Sequence, residues 1–434
     1  MHDYLNIFRE MRPPRLPTWI IPVWYAAGAV SIGLILPRIE ASLLPARTAG
    51  ISSAAAMAMF SSIASGMISL TGIVFSLIFV MVQFSATAYS PRLVLWMARD
   101  PLLFHAMGIF TATFLYAISA MAWVDRQSSG KVLFFSAWLV VGLLLASVGM
   151  FIRLVHSLNR LQIGNVLAFT GDFARQIIDV MYPRLESSDA LAETGELAQL
   201  PVTQRMLYSG APQAIQFLDI ARLMALAEKV NGVIEILSAV GDTVVSSTPL
   251  LRVYGGCRTI EEPVLLKSIR MGTQRTFEQD PKYSIQLLRD IAIRALSPAV
   301  NDPTTAVQAL DQIEDLLLRL GRRRLEIGEV RNASGRLRLV IPVPSWEDFL
   351  DLAFSEIRSY GRESIQVMRR MKALLSDLTK ALPIERLAAL RSQQKRLDST
   401  IARSFPDIED QLEASVEDRE GLGATRRSRT VAPP

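Results

Sequence analysis

Cysteine is almost absent: Cys257 is the only one in 434 residues. An intramolecular disulfide is therefore impossible, and a zinc site built on cysteines is excluded. Histidine is nearly as rare, and His2, His105 and His156 lie too far apart in sequence to suggest a cluster of ligands. Charged residues make up only 20% of the chain, against 50% hydrophobic ones. The net charge of +5 is small for this length, and no basic stripe interleaved with aromatics runs through the sequence, so nucleic acid is not an expected partner. Also missing are a glycine-rich phosphate loop, a paired-carboxylate site and a Ser, His, Asp order. Tyr254-Gly255-Gly256 is too short to stand in for the first of these. The sequence therefore reads as a non-enzyme without a cofactor.

The charge that is present is unevenly spread. Nearly all the charge-free stretches fall before Ile152, and the remainder resembles an ordinary soluble sequence. The first stretch has 22 uncharged residues between Arg15 and Arg38, enough for one helix across a hydrocarbon core of about 30 Å. Trp19, Trp24 and Tyr25 crowd its amino-terminal end, where an interfacial belt would place them. No good small-x-small site follows, so a cleaved signal peptide is the weaker reading. The second stretch, Thr48 to Pro91, has 44 uncharged residues; its strongly apolar part predicts a span near 67–86, preceded by a helical or surface-lying lead-in. Asp100-Pro101 suits a cap followed by proline at the first helical position and opens the third; Val132 to Ile152 is the fourth. The expected spans are thus about 17–37, 67–86, 101–124 and 132–152, with no Asp, Glu, Lys or Arg inside any of them.

Arg9, Arg12, Arg15, Arg92, Arg99, Arg153 and Arg160 fall on one side of these spans, against Arg38, Arg47, Arg126 and Lys131 on the other. The positive-inside rule makes the first side cytoplasmic, so both termini are expected there, in a multi-pass protein of a bacterial inner membrane.

At helical spacing, Ser62, Ser65, Ser69, Gly72, Ser76 and Gln83 form one stripe of the second span. Two readings are open: small side chains that let helices approach closely, or the lining of a water-filled path shared by several copies.

Beyond Arg153 the periodicity predicts the last span running into a connecting helix and a loop, residues 154–200. A small β-rich module follows at 201–256, with Asp219 capping a short helix and a turn at Gly241-Asp242. That turn is reminiscent of half a biotinyl or lipoyl domain, but no lysine lies between Lys229 and Lys267 to carry such a group. A helical cytoplasmic domain is expected at 257–413 and a disordered basic tail at 414–434. Within the helical part, RALSPAVNDPTTA breaks one helix and starts another. Ser297 precedes a proline and resists helical geometry, while Asp302 caps the next helix with Pro303 at its first position. Ser297, Pro298, Asn301, Asp302 and Pro303 are read as a structural corner; an anion at that helix amino terminus would meet Asp302 already there.

SLTGIVFSLIFVMVQFSATAYSPRL, GDTVVSSTPLLRV, RALSPAVNDPTTA and VPSWEDFLDLAFSEIRSYG, in this order, resemble a family of bacterial predicted membrane proteins classed as a domain of unknown function. The resemblance implies an inner-membrane protein with a cytoplasmic carboxy-terminal region and implies no activity. The overall expectation is a membrane α-helical unit followed by an α+β region. Its partners are the lipid bilayer and further copies of itself. A homo-oligomeric channel-like protein and a membrane-anchored sensor or scaffold binding a cytoplasmic partner are the two functional readings.

Overall fold

A computed structural model describes residues 19–44, 48–88, 101–126, 131–158, 162–185, 197 and 200–422. Two compact units emerge, Pro13–Asn165 and the part from Val166 onward.

The first unit holds four helices long and apolar enough to cross a bilayer. They are α1 (Ile20–Leu43), α2 (Ser53–Ala88), α3 (Pro101–Arg126) and α4 (Phe134–Leu158). Helix α3 is the hub, and the other three pack on it. Where glycine occurs at these contacts, the helices touch. A Cβ at Gly108 would lie 2.6 Å from the Tyr25 ring, and one at Gly33 would lie 2.6 Å from Ser119 Cβ. Polar groups at the hub are hydrogen-bonded to neighbouring helices, as a medium without water demands. His105 Nδ1 is 3.2 Å from Tyr25 Oη, Thr113 Oγ1 is 2.8 Å from Ser147 Oγ, and Tyr116 Oη donates to the Ser136 carbonyl at 3.3 Å.

Helix α1 differs from the expected span. It runs through Pro37 to Leu43 and so carries Arg38 and Glu40. Glu40 is buried and caps α4: its carboxylate accepts from the backbone N–H of Phe135 at 2.6 Å and of Ser136 at 2.9 Å, and from the Ser136 hydroxyl at 2.8 Å. The positive end of α4 is a suitable place for a buried negative charge. Beside it β1 (Thr48–Ser52) pairs antiparallel with β2 (Lys131–Leu133). The uncharged run from Thr48 makes one continuous helix from Ser53, so the lead-in is part of α2. The cap proposed at Asp100 lies outside the described residues.

In the second unit the predicted connecting helix is α5 (Ile163–Met181), a separate helix beginning five residues after α4 ends. Strands β3 (Val202–Leu207), β4 (Gln213–Leu218), β5 (Val233–Ile236), β6 (Thr243–Val244) and β7 (Pro249–Tyr254) form the β-rich part with α6 (Ile220–Lys229). Asp219 caps α6 by accepting from Arg222 N. The short helix α7 (Glu262–Leu266) and β8 (Ile269–Gly272) follow. The sheets do not stop at residue 256. Strands β9 (Glu329–Arg331) and β10 (Leu337–Val340) complete a five-stranded sheet ordered β3-β7-β5-β10-β9, in which Ile234 faces Val253 antiparallel and Leu339 parallel. A three-stranded sheet, β6-β4-β8, lies apart. Apolar side chains of both sheets and of α6 share one core.

Helices α8 (Pro281–Ala295), α9 (Pro303–Gly321), α10 (Trp346–Tyr360), α11 (Ile365–Ala381), α12 (Ile384–Ser404) and α13 (Ile408–Ser415) make the bundle. Ser345 and Asp348 form a capping box at α10. Part of the tail expected from residue 414 is ordered. Ala414, Asp418 and Gly421 are buried, and Gln366 donates to the Gly421 carbonyl, because a left-handed Gly421 (φ +67°) lets the chain fold back over Val307. Residues 423–434 lie outside the described ones.

Replacing Glu40 with alanine strips three hydrogen bonds and a helix cap from a buried position. The full-length protein in detergent is expected to lose about 2 kcal/mol of stability, read as a lower unfolding temperature, while Ser42→Ala next to it leaves the temperature unchanged.

Candidate functional site

Helix α2 packs on α3 through Ala56, Phe60, Ile63, Met67 and Val74, spaced three, four or seven residues apart and buried. Ser62, Ser65, Ser69, Gly72, Ser76 and Gln83 repeat the same spacing two residues out of phase, about 200° around the helix. All six are exposed, and among the described residues no neighbour comes within 4 Å of a Cβ placed at Gly72. Helix α2 thus carries two seams on opposite faces, and among the described residues only the one against α3 is covered. Two hydroxyls on the open seam are satisfied within the helix. Ser62 Oγ donates to the Ala58 carbonyl at 2.9 Å and Ser69 Oγ to the Ser65 carbonyl at 3.0 Å. Such back-bonding leaves a shallow, small-residue surface with few unmet donors, suited to close approach of another helix. Bulky Ile68, Ile73, Phe75, Phe79 and Val80 are exposed on either side of it.

The corner at 297–303 closes on itself. Asn301 adopts φ +47°, and its N–H donates to the Ser297 carbonyl at 2.8 Å; the Asp302 N–H reaches back to the Ala295 carbonyl at 2.8 Å. Ser297 Oγ donates to the Arg294 carbonyl at 2.7 Å. Asp302 accepts from Thr305 N at 3.1 Å and from Thr305 Oγ1 at 2.6 Å, so the amino terminus of α9 is occupied by its own carboxylate. Pro298, Ala299, Val300 and Asn301 face outward. These five motif residues are thus brought together, and what they build is a turn; the α2 stripe belongs to the other compact unit.

Two charged arrangements escaped the sequence reading besides Glu40. Arg175 bridges Asp172 and Asp315, each at 2.7 Å, while Asp179 meets Arg319 and Arg323, tying α5 lengthwise to α9. Asp280, the cap of α8, is 2% exposed and gripped by Arg275 at 2.8 Å (Nε) and 2.6 Å (Nη2). The turn at Gly241 presses on this pair: with φ +93°, a Cβ there would come within 2.6 Å of Asp280 Oδ2. Burial pushes the Asp280 carboxyl above the usual range, with Arg275 pulling it back. Asp280-Pro281 marks the start of α8 in the sequence as a cap followed by proline, but neither the grip of Arg275 nor the α5–α9 pairs is announced by it. Cys257 is exposed, and among the described residues no three His, Cys, Asp or Glu side chains converge as a metal site.

Residues 15–377 match the family described as predicted membrane protein (DUF2254). The chain belongs to this family. It is also similar to the uncharacterized protein Rv1290c of Mycobacterium tuberculosis, at 26% identity over 439 residues covering 96% of this chain and 82% of the relative. The same identity and coverage relate it to the uncharacterized protein Mb1321c of Mycobacterium bovis. No solved structure matches. This is a membrane protein family without an assigned activity, so the site has to be argued from its own geometry.

Two outcomes follow for the second unit. Asn301→Gly, which suits a left-handed residue, is expected to stay within a few tenths of a kcal/mol of the parent, whereas Asn301→Val costs about 1–2 kcal/mol; chemical denaturation of the full chain reads both. Because the folded-state pKa of Asp280 is raised, its contribution to stability is present below the unfolded carboxylate pKa and is lost as pH rises through the folded value. Arg275 limits that loss. The stability deficit of Arg275→Ala is therefore expected to grow between about pH 4 and about pH 7; a deficit that shrinks over that interval contradicts the assignment.

Proposed function

We propose that this membrane protein is a homo-oligomeric, channel-like or transport-related protein of the bacterial inner membrane, with both termini in the cytoplasm. The observation that carries the reading is the open seam of α2. A helix with heptad-spaced small residues on a face that no described residue covers is suited to meeting the same face of another copy. Around a closed ring of copies, Ser62, Ser65, Ser69, Gly72 and Ser76 would then approach the symmetry axis, with Gln83 towards one mouth. No acid or base lines that seam, which favours a passive path over a proton-coupled one. The arginine bias of the connecting segments supports the orientation.

A second reading, a membrane-anchored scaffold, is favoured by one observation. Ile408 and Leu412, one turn apart on α13, are each 64% exposed and offer an apolar stripe to a cytoplasmic helix.

In a Cys257→Ser background, Ser69→Cys and Ser76→Cys are expected to form disulfide-linked dimers on oxidation in native membranes, and Met67→Cys, on the filled seam, is not. Purified protein in liposomes should conduct ions under voltage or tension, and Ser69→Trp should reduce that conductance at least tenfold. Absence of cross-links at both seam positions, or silent liposomes, removes the channel reading; stoichiometric recovery of a cytoplasmic protein that is lost in Leu412→Asp then supports the scaffold.

A further inference from the structure

Helices α10 and α12 run parallel. Trp346 Nε1 donates to the Arg386 carbonyl, Asp351 accepts from Gln393 and Arg396, and Arg358 Nη1 donates to Thr400 Oγ1 at 2.8 Å. Arg396 and Arg403 flank Thr400 at one turn on either side, so three guanidinium groups converge around one contact. Asp351 pairs with Arg396 at 2.9 Å. Arg358 and Arg403 have no carboxylate within ion-pair distance among the described residues, and the buried Arg358 Nε has no hydrogen-bond partner. Burial lowers the affinity of Arg358 for its proton, and the charges of Arg396 and Arg403 lower it further. Three cations share one anion here.

The last turn of α10 lies beside the 297–303 corner, since a Cβ at Gly361 would touch Leu296 Cδ1 at 3.3 Å.

We propose that Arg358, Arg396 and Arg403 form a binding site for a phosphate group, free or carried by a phospholipid headgroup, with the three guanidinium groups sharing its oxygens. Guanidinium groups match phosphate geometry two hydrogen bonds at a time, and a lysine does not. The competing account is that Arg358 and Arg403 merely offset the negative ends of α10 and α12, whose last turns they occupy. That account does not extend to Arg396, two turns from the end of α12.

Thermal unfolding of full-length protein in detergent separates the two. Inorganic phosphate, compared with chloride at matched ionic strength, is expected to raise the unfolding temperature of the parent by about 3 °C and to leave Arg403→Gln and Arg358→Lys unmoved. Arg403→Gln alters an exposed side chain, so it folds. No rise in the parent, or an equal rise in both variants, overturns the site; a helix-end role alone lowers the variants equally with and without phosphate. Native mass spectrometry of protein extracted from membranes then separates the sources. One more retained phospholipid in the parent than in Arg403→Gln assigns the site to lipid, and equal retention assigns it to free phosphate.

Discussion

Hydrocarbon offers no hydrogen bonds, and every polar group in the first unit has to find its partner inside the chain. The arrangement of α1 to α4 follows from that constraint. Glu40 is tolerated because the free N–H groups at the start of α4 converge on it. Thr113 and Ser147, Tyr25 and His105, and Tyr116 with Ser136 O are each pairs that draw two helices onto or around α3. On the outward face of α2, Ser62 and Ser69 meet the same demand by bonding carbonyls of their own helix.

The second unit is held together differently. Its helices start at side-chain caps, Asp280, Asp302, Ser345 and Ser364, each satisfying an otherwise idle N–H. Its long-range order rests on arginines that reach across elements: Arg175 and Arg323 from α5 to α9, Arg370 to Asp311 and Glu314, and Arg386 over Trp346 and onto the Arg323 carbonyl. Arginine suits this work because its stem packs while its fork bonds. The Arg358 group stands out against that background as cations gathered without matching anions.

Much of the architecture is written in local pattern. Runs without charge locate the four apolar helices, and Asp-Pro pairs locate the starts of α8 and α9, since a cap and a proline act within one turn. The corner at 297–303 is equally local, and its hydrogen bonds close within eight residues. What the pattern hides is whatever depends on contacts between distant segments. Glu40 looked like a loop residue because Pro37 reads as a helix end, yet its value lies 95 residues away at Phe135. Strand β10 joins the sheet begun near residue 202 because its hydrophobic Leu337 and Leu339 fill a gap beside β5, a pairing no local signal announces. The α2 stripe was visible as a period, but which face α3 would cover was not: both faces share the same spacing, and only the larger side chains of Phe60, Ile63 and Met67 decide it.

A filled seam and an open seam on one helix make a specific statement about mass. The chain weighs 48.1 kDa. Native mass spectrometry of full-length protein, released from mild detergent at micromolar concentration, is expected to give an integral multiple of that mass that collapses to single chains on Gly72→Phe. A parent protein that is monomeric across the whole concentration range contradicts the account.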